Sequence, residues 1–196
     1  MPLRIVIAVH PPEEGKSRLA SVLCDAERYD LNLRLYRQTL RACMAVVAPE
    51  RCHVVSRSPA LLREAAQAGM SAHPEEGRDL NLALTQGAMA ARANGATSVL
   101  SVSTDLPLLQ PADLEAMIAA GEASAVVIAP DRSGLGTNAL LVRPPLAIPY
   151  RHGIDSCRHH VLAAQSIGVE PLLIQRPGLA ADLDLPTDLR AFDEAR

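Results

Sequence analysis

Aromatic residues make up 2% of the chain, with no tryptophan and a single phenylalanine. Its core must therefore be built from Ala, Leu, Val and Ile, and aromatic platforms for stacking the bases of a nucleic acid are all but excluded. The net charge of −3 supplies no basic field for a polyanion either. No apolar run approaches the length of a membrane span, and the N-terminus lacks the charged and apolar regions of a signal peptide. The four cysteines, Cys24, Cys43, Cys52 and Cys157, show no Cys-x-x-Cys spacing. Cys157, His159 and His160 lie close together without the second ligand pair of a zinc site, and read as a helix face carrying ordinary surface histidines. These absences point to a reduced, cytoplasmic protein that binds neither nucleic acid nor membrane.

Several motifs are missing as well. No Gly-x4-Gly-Lys-Ser/Thr occurs, and no Gly-x-Gly-x-x-Gly follows the first strand, which disfavours a P-loop NTPase and a dinucleotide-dependent dehydrogenase. No Gly-x-Ser-x-Gly elbow supports a hydrolase. Lysine is nearly absent too: Lys16 is the only one among 19 basic residues. That compact point charge falls in a polar loop after the first strand, where a phosphate can be met.

What is present is an alternation of strand and helix signals. Apolar strands are expected at Leu3–Val9, Cys52–Ser56, Met70–Ala72, Thr97–Val102, Ala123–Ala129, Thr137–Val142 and Glu170–Ile174. Helices are expected from Ala26 to about Val47 with Asp25 as N-cap, from Ser58-Pro59 to Gly69, over Leu80–Ala93, from Pro111, over Ser156–Ile167, and from Pro186. The Gly-rich stretch between Ala129 and Thr137 suggests a hairpin or a bent crossing. No repeat or linker divides residues 1–196, so one three-layer α/β domain with a Rossmann-like mixed sheet is expected.

The stretch Val99–Leu109, VLSVSTDLPLL, ends an apolar run abruptly at Asp105. Open α/β sheets place ligand-binding carboxylates at such strand ends. The same residue type also starts turns and caps helices. Asp182 and Asp184 alternate along an extended stretch, so period two sends both to one side. With Asp105 they form a trio suited to Mg²⁺, which takes a few carboxylates plus substrate phosphates. Turn and cap roles for the pair are the competing reading. Ser133–Asn138 and the segment 152–156, ahead of a helix N-terminus, offer backbone N–H groups to an anion.

The runs GKSRL (15–19), DLNLAL (79–84), STDLPLL (103–109), APDRSGLGTNALLVRPP (129–145), HGIDS (152–156) and PGLAADLDLPTDL (177–189) occur in one order along nearly the whole chain. Together they resemble the 2-phospho-L-lactate and phosphoenolpyruvate guanylyltransferases of coenzyme F420 biosynthesis. The resemblance implies a nucleotide-diphospho-sugar-transferase-like fold with a β-hairpin insertion. It also implies transfer of GMP from GTP to a small phosphorylated carboxylic acid: phosphoenolpyruvate, 2-phospho-L-lactate or 3-phospho-D-glycerate. By motif, Lys16 and Asp105 would be catalytic, Lys16 would meet the nucleotide phosphates, Arg18 would help bind the nucleotide, and Asn81 would lie near the nucleoside. Asp105, Asp182 and Asp184 would hold Mg²⁺. Thr137, Asn138, Gly153 and Ser156 would receive the acceptor. Three positions depart from the family pattern: His10 stands where a lysine is common, Ser103-Thr104 replaces Pro-Ala, and Cys157 replaces Phe. Competing readings are a nucleotidyltransferase for a molybdenum cofactor or sugar phosphate, and a non-catalytic nucleotide-binding protein. A homodimer is compatible with the sequence, and nothing in it requires one.

Overall fold

The computed structural model describes residues 2–194, with side chains to residue 190. One seven-stranded sheet runs through it. Its strands are β1 (Leu3–Ala8), β2 (Cys52–Ser56), β3 (Ser71–Pro74), β4 (Ser98–Val102), β5 (Val126–Pro130), β6 (Thr137–Val142) and β7 (Leu172–Leu173). The helices are α1 (Asp25–Val46), α2 (Pro59–Gln67), α3 (Leu80–Ala93), α4 (Pro111–Ala123), α5 (Ser156–Ser166), α6 (Pro177–Ala180) and α7 (Pro186–Glu194). Strand order is β3-β2-β1-β4-β6-β5-β7. The first four strands are mutually parallel, whereas β6 is antiparallel to both β4 and β5. The expected hairpin is therefore β5–β6, and its second strand is built into the middle of the sheet.

Alternation along the strands produces the three layers. In β1, Leu3, Ile5 and Ile7 face one way and pack with Tyr36 and Leu40 of α1, Leu61 of α2 and Leu114 of α4. Val6 faces the other way and joins Leu84 and Ala88 of α3 and Ala164 of α5. With helices on both faces, the central strands read as continuous apolar runs. A third, smaller cluster buries Leu19, Leu31, Leu35 and Leu183.

Element ends differ from the expected ones for local reasons. Asp25 is the first residue of α1 instead of its cap: Cys24 is extended there, and its N–H donates to Glu27 Oε2 at 2.7 Å. β3 starts one residue later and continues through His73, which pairs with Val55 in the parallel ladder. β5 begins at Val126 because α4 retains Ala123, and β7 contracts to two residues. The short α6 interrupts a stretch that reads as Pro-Gly turn, and it is held by Asp113. That buried carboxylate accepts from Arg176 Nε at 2.9 Å and from the Gln110 N–H at 3.0 Å.

Gly178 sits against this carboxylate. A Cβ there would fall inside the Asp113 side chain and 2.7 Å from the Leu108 carbonyl oxygen. Gly178→Ala is accordingly expected to cost about 1–3 kcal/mol of stability, the usual penalty of overpacking a closed site. A urea midpoint equal to that of the native protein would show that α6 yields freely.

Candidate functional site

The sheet changes direction of winding between β1 and β4: β2 and β3 extend to one side of β1 and β4 lies on the other. A crevice opens beyond the C-terminal ends of strands at such a switch point. A cavity of about 130 Å³ lies there. Ala8 and His10 line it from the end of β1, and Ser103, Thr104 and Asp105 from the end of β4. Leu80 and Leu84 of α3, Asn138 of β6 and His152 complete the wall. Two of the positions that depart from the family pattern, His10 and the Ser103-Thr104 pair, thus face the cavity directly.

Lys16 lies at the rim of this crevice in a left-handed backbone conformation, with φ 56° and ψ 36°. Such a conformation is uncommon for a side chain of this kind and persists only when its surroundings dictate it. The loop around it is anchored: Asn32 Nδ2 donates to the Pro12 carbonyl at 2.6 Å, and Arg57 Nη1 donates to Glu14 Oε1 at 2.9 Å. The Lys16 side chain is 8% exposed, and its ammonium contacts Asp105 Oδ2 at 3.1 Å and Asp184 Oδ1 at 3.0 Å. Burial pulls its pKa down, but the two carboxylates more than offset that, and the ammonium ends above the ordinary lysine range. Arg18 is largely exposed and reaches Asp184 Oδ2 at 3.3 Å.

The second acidic stretch arrives through the backbone. Leu183 N–H donates to the Asp105 carbonyl at 3.0 Å, and its side chain is fully buried in the small cluster. The alternation of the sequence then keeps Asp182 and Asp184 out of that cluster. Burial raises the Asp182 carboxyl above the usual range, and Asp105, Asp184 and Asp131 add to the shift. Asp105 Oδ1 is buried without a hydrogen-bond partner among the described residues. Among the described residues no three His, Cys, Asp or Glu side chains form a group poised to hold a metal ion. In this structure the cation between Asp105 and Asp184 is Lys16 itself.

The remaining expected site residues divide into two groups. Asn138 and Asn81 carry scaffold contacts. Asn138 Nδ2 donates to the Leu179 carbonyl at 2.9 Å and ties α6 to β6. Asn81 clamps the backbone of His152, accepting from its N–H at 2.6 Å and donating to its carbonyl at 3.2 Å. Thr137, Gly153 and Ser156 surround the start of α5. Ser156 is its first residue and is buried, and Gly153 has a φ of 132° that favours glycine. The Cys157 N–H donates to the Leu135 carbonyl at 2.9 Å, fastening α5 to the β5–β6 turn.

The structure corrects the expectation of surface histidines at one position. His159 is exposed, but His160 is fully buried and meets Thr137 Oγ1 through Nδ1 at 3.0 Å. Cys157, His160 and Ala164 share the buried face of α5 at helical spacing. That spacing was the available signal. His152, also unassigned from sequence, lines the cavity, and its Nε2 is buried without a partner among the described residues.

Known proteins share this architecture and its sequence. A family model described as guanylyl transferase, CofC-like, matches residues 3–192. A phosphoenolpyruvate guanylyltransferase of Rubrobacter xylanophilus is 42% identical over 192 residues, covering 96% of this chain and 93% of that protein. Among solved structures, one from Desulfovibrio desulfuricans assigned to the nucleotide-diphospho-sugar transferases superposes with a TM-score of 0.74 at 18% identity. That match covers 97% of this chain and 85% of the other. A Mycobacterium tuberculosis protein in complex with manganese gives 0.60 at 17% identity, with 99% of each chain covered. The fold is that of the nucleotide-diphospho-sugar transferases, and a match over nearly the full chain at 42% identity carries the assignment further than fold. This chain is a nucleotidyltransferase and belongs to the CofC-like guanylyl transferase family.

Proposed function

We propose that this enzyme transfers GMP from GTP to the phosphate of phosphoenolpyruvate, releasing pyrophosphate, and that the product enters coenzyme F420 biosynthesis. The observation that carries this reading is the lone lysine held between Asp105 and Asp184 at the switch point of the sheet. The choice of acceptor is supported by the Rubrobacter relative, whose name states that acceptor. A phosphate oxygen of the acceptor attacks the α-phosphorus of GTP, the bond from that phosphorus to the oxygen bridging to the β-phosphate breaks, and pyrophosphate leaves. The attacking oxygen is already anionic, so no strong general base is required. The obstacle is the approach of two polyanions, which positioning and fixed positive charge overcome. Lys16 would move from its carboxylate partners onto a phosphate, with Arg18 beside it. Thr137, Gly153 and Ser156 would receive the acceptor next to the N-terminus of α5, where anions are favoured.

The chemistry of the donors suits a divalent cation once Lys16 leaves them for a phosphate; with Lys16 in place, the described carboxylates are not grouped to hold one. Asp105 presents a buried, unpartnered oxygen, and the Asp182 carboxyl, raised first by burial, is raised further by Asp105, Asp184 and Asp131 nearby. Asp105, Asp182 and Asp184 would hold Mg²⁺, with substrate phosphates completing its shell. Bound there, the ion supplies charge neutralisation on the phosphates of the donor and acceptor. The manganese complex of the Mycobacterium tuberculosis neighbour is in keeping with divalent metal use on this fold. The free thiols of Cys24, Cys43, Cys52 and Cys157 suit a cytoplasmic enzyme. No helix among the described residues is long and apolar enough to cross a membrane.

The test is pyrophosphate release by the purified protein with Mg²⁺, GTP and phosphoenolpyruvate, with mass detection of the guanylylated product. 2-Phospho-L-lactate and 3-phospho-D-glycerate serve as competing acceptors, and ATP and CTP as competing donors. Release with GTP and phosphoenolpyruvate above all other pairs is expected. Silence with that pair, or preference for another acceptor, overturns the assignment.

A further inference from the structure

The hydrogen bonds around His160 determine where its proton sits. The Arg151 backbone N–H, which can only donate, points at His160 Nε2 at 2.9 Å. Nε2 must therefore present its lone pair, and a proton on it would clash with the amide. Burial, with His152, His159 and Arg151 nearby, holds the imidazole pKa at about 3, so the ring is neutral near pH 7. A neutral imidazole with Nε2 bare carries its single proton on Nδ1. That N–H faces Thr137 Oγ1 at 3.0 Å. The threonine oxygen is consequently an acceptor toward His160, and its own proton is left for another group. Among the described residues that hydroxyl has no other partner.

We infer that His160 is a positioning residue that turns the Thr137 hydroxyl into a committed hydrogen-bond donor, so that this subsite selects an acceptor-only oxygen of carboxylate or phosphate type. The inference rests on the placement of Thr137 in the acceptor site, proposed above. Without His160 the hydroxyl rotates, and a ligand hydroxyl is accepted as readily as an anionic oxygen. Ser156 lies one helical turn before His160, at i and i+4 of α5, so both side chains sit on the same side of that helix. The buried imidazole joins α5 to the start of β6 through Thr137 and to the backbone ahead of α5 through Arg151.

Two substitutions separate the two bonds of the ring. His160→Asn retains a donor amide near the position of Nδ1 and gives up the bond from Arg151. His160→Gln places an oxygen near the position of Nε2 for the Arg151 N–H and gives up the bond to Thr137. His160→Gln is expected to raise KM for the phosphorylated acid about 10-fold, with KM for GTP unchanged, since a hydrogen bond to a charged group is of that order. His160→Asn is expected to stay close to the native value. In a Thr137→Val background, His160→Gln is expected to add nothing further, because the two residues act as one unit. Long-range ¹H–¹⁵N correlation spectra of the native protein read the tautomer directly, whether or not a variant folds. The Nδ1–H pattern is expected, and an Nε2–H or doubly protonated ring overturns the inference. It is equally overturned if Thr137→Val raises the acceptor KM while His160→Gln does not. If Thr137→Val itself leaves that KM unchanged, the placement of Thr137 in the acceptor site falls instead, and the NMR result still decides the tautomer.

Discussion

Asp105→Asn is expected to lower turnover by about a hundredfold or more, the scale on which a charged group acting on a developing or transferred phosphate contributes. The substitution preserves shape and removes charge. In the native protein Asp105 Oδ2 holds the Lys16 ammonium at 3.1 Å, and Oδ1 is buried and free to accept a cation. An asparagine offers one weaker acceptor and an amide that repels the same ammonium. The fold should tolerate it, because Asp184 remains 3.0 Å from Lys16 and the buried ammonium keeps a partner. Asp184→Asn is expected to act in the same direction. Its carboxylate also meets Arg18, which is exposed and adds little. Steady-state pyrophosphate release, with a thermal melt of each variant to show that it is folded, is the measurement. Turnover within threefold of native in both folded variants would remove Asp105 and Asp184 from the reaction.

Acid is expected to destabilise the protein well above the range in which carboxylates titrate. His53 is fully buried in β2, and its ring stacks on His73 with centroids 5.2 Å apart and planes 5° from parallel. The two rings share a hydrogen bond of 3.0 Å, and Arg4 Nη1 lies 3.5 Å from the other nitrogen of His53. Burial first, then His73 and Arg4, push the His53 pKa down to about 4. Burial likewise holds His152 at about 4 and His160 at about 3. Each native value lies below the ordinary histidine value of 6.5, so the unfolded chain takes up protons first. Stability is therefore full above about pH 6.5, falls as pH drops toward 4, and levels off once the native rings also protonate. A buried ring shifted this far contributes on the order of 3 kcal/mol to the total loss, at about 1.4 kcal/mol per pH unit. Asp182 works the other way, since its raised carboxyl is relieved by protonation, but it is one partly buried group against three imidazoles. Urea midpoints at pH 7.5, 6 and 5 should fall steadily, and His53→Gln should flatten the slope by about one proton. A midpoint that does not move between pH 7 and 5 would contradict the burial of neutral rings.

Periodicity and punctuation in the sequence determined the alternation of strands and helices, the parallel character of the first strands and the two-sided core. They did so because a 3.6-residue or 2-residue repeat of apolar side chains has few ways to bury itself. The same logic placed Asp105 at a strand end and set Asp182 and Asp184 on one side of an extended chain. The family motifs then supplied the reaction class. Periodicity names the face a residue takes and leaves its neighbour open. Only the tertiary structure joined Lys16 to Asp184, 168 positions apart, through the bond from Leu183 N–H to the Asp105 carbonyl. It also placed β6 antiparallel between β4 and β5, gave Asn81 to the backbone of His152, and drew His160 inward onto Thr137. Each of these depends on which buried donor finds which acceptor across long loops. That pairing is set by the packing of the whole sheet and its two helical layers, since a buried polar group must be satisfied by whatever the fold brings within 3 Å or so.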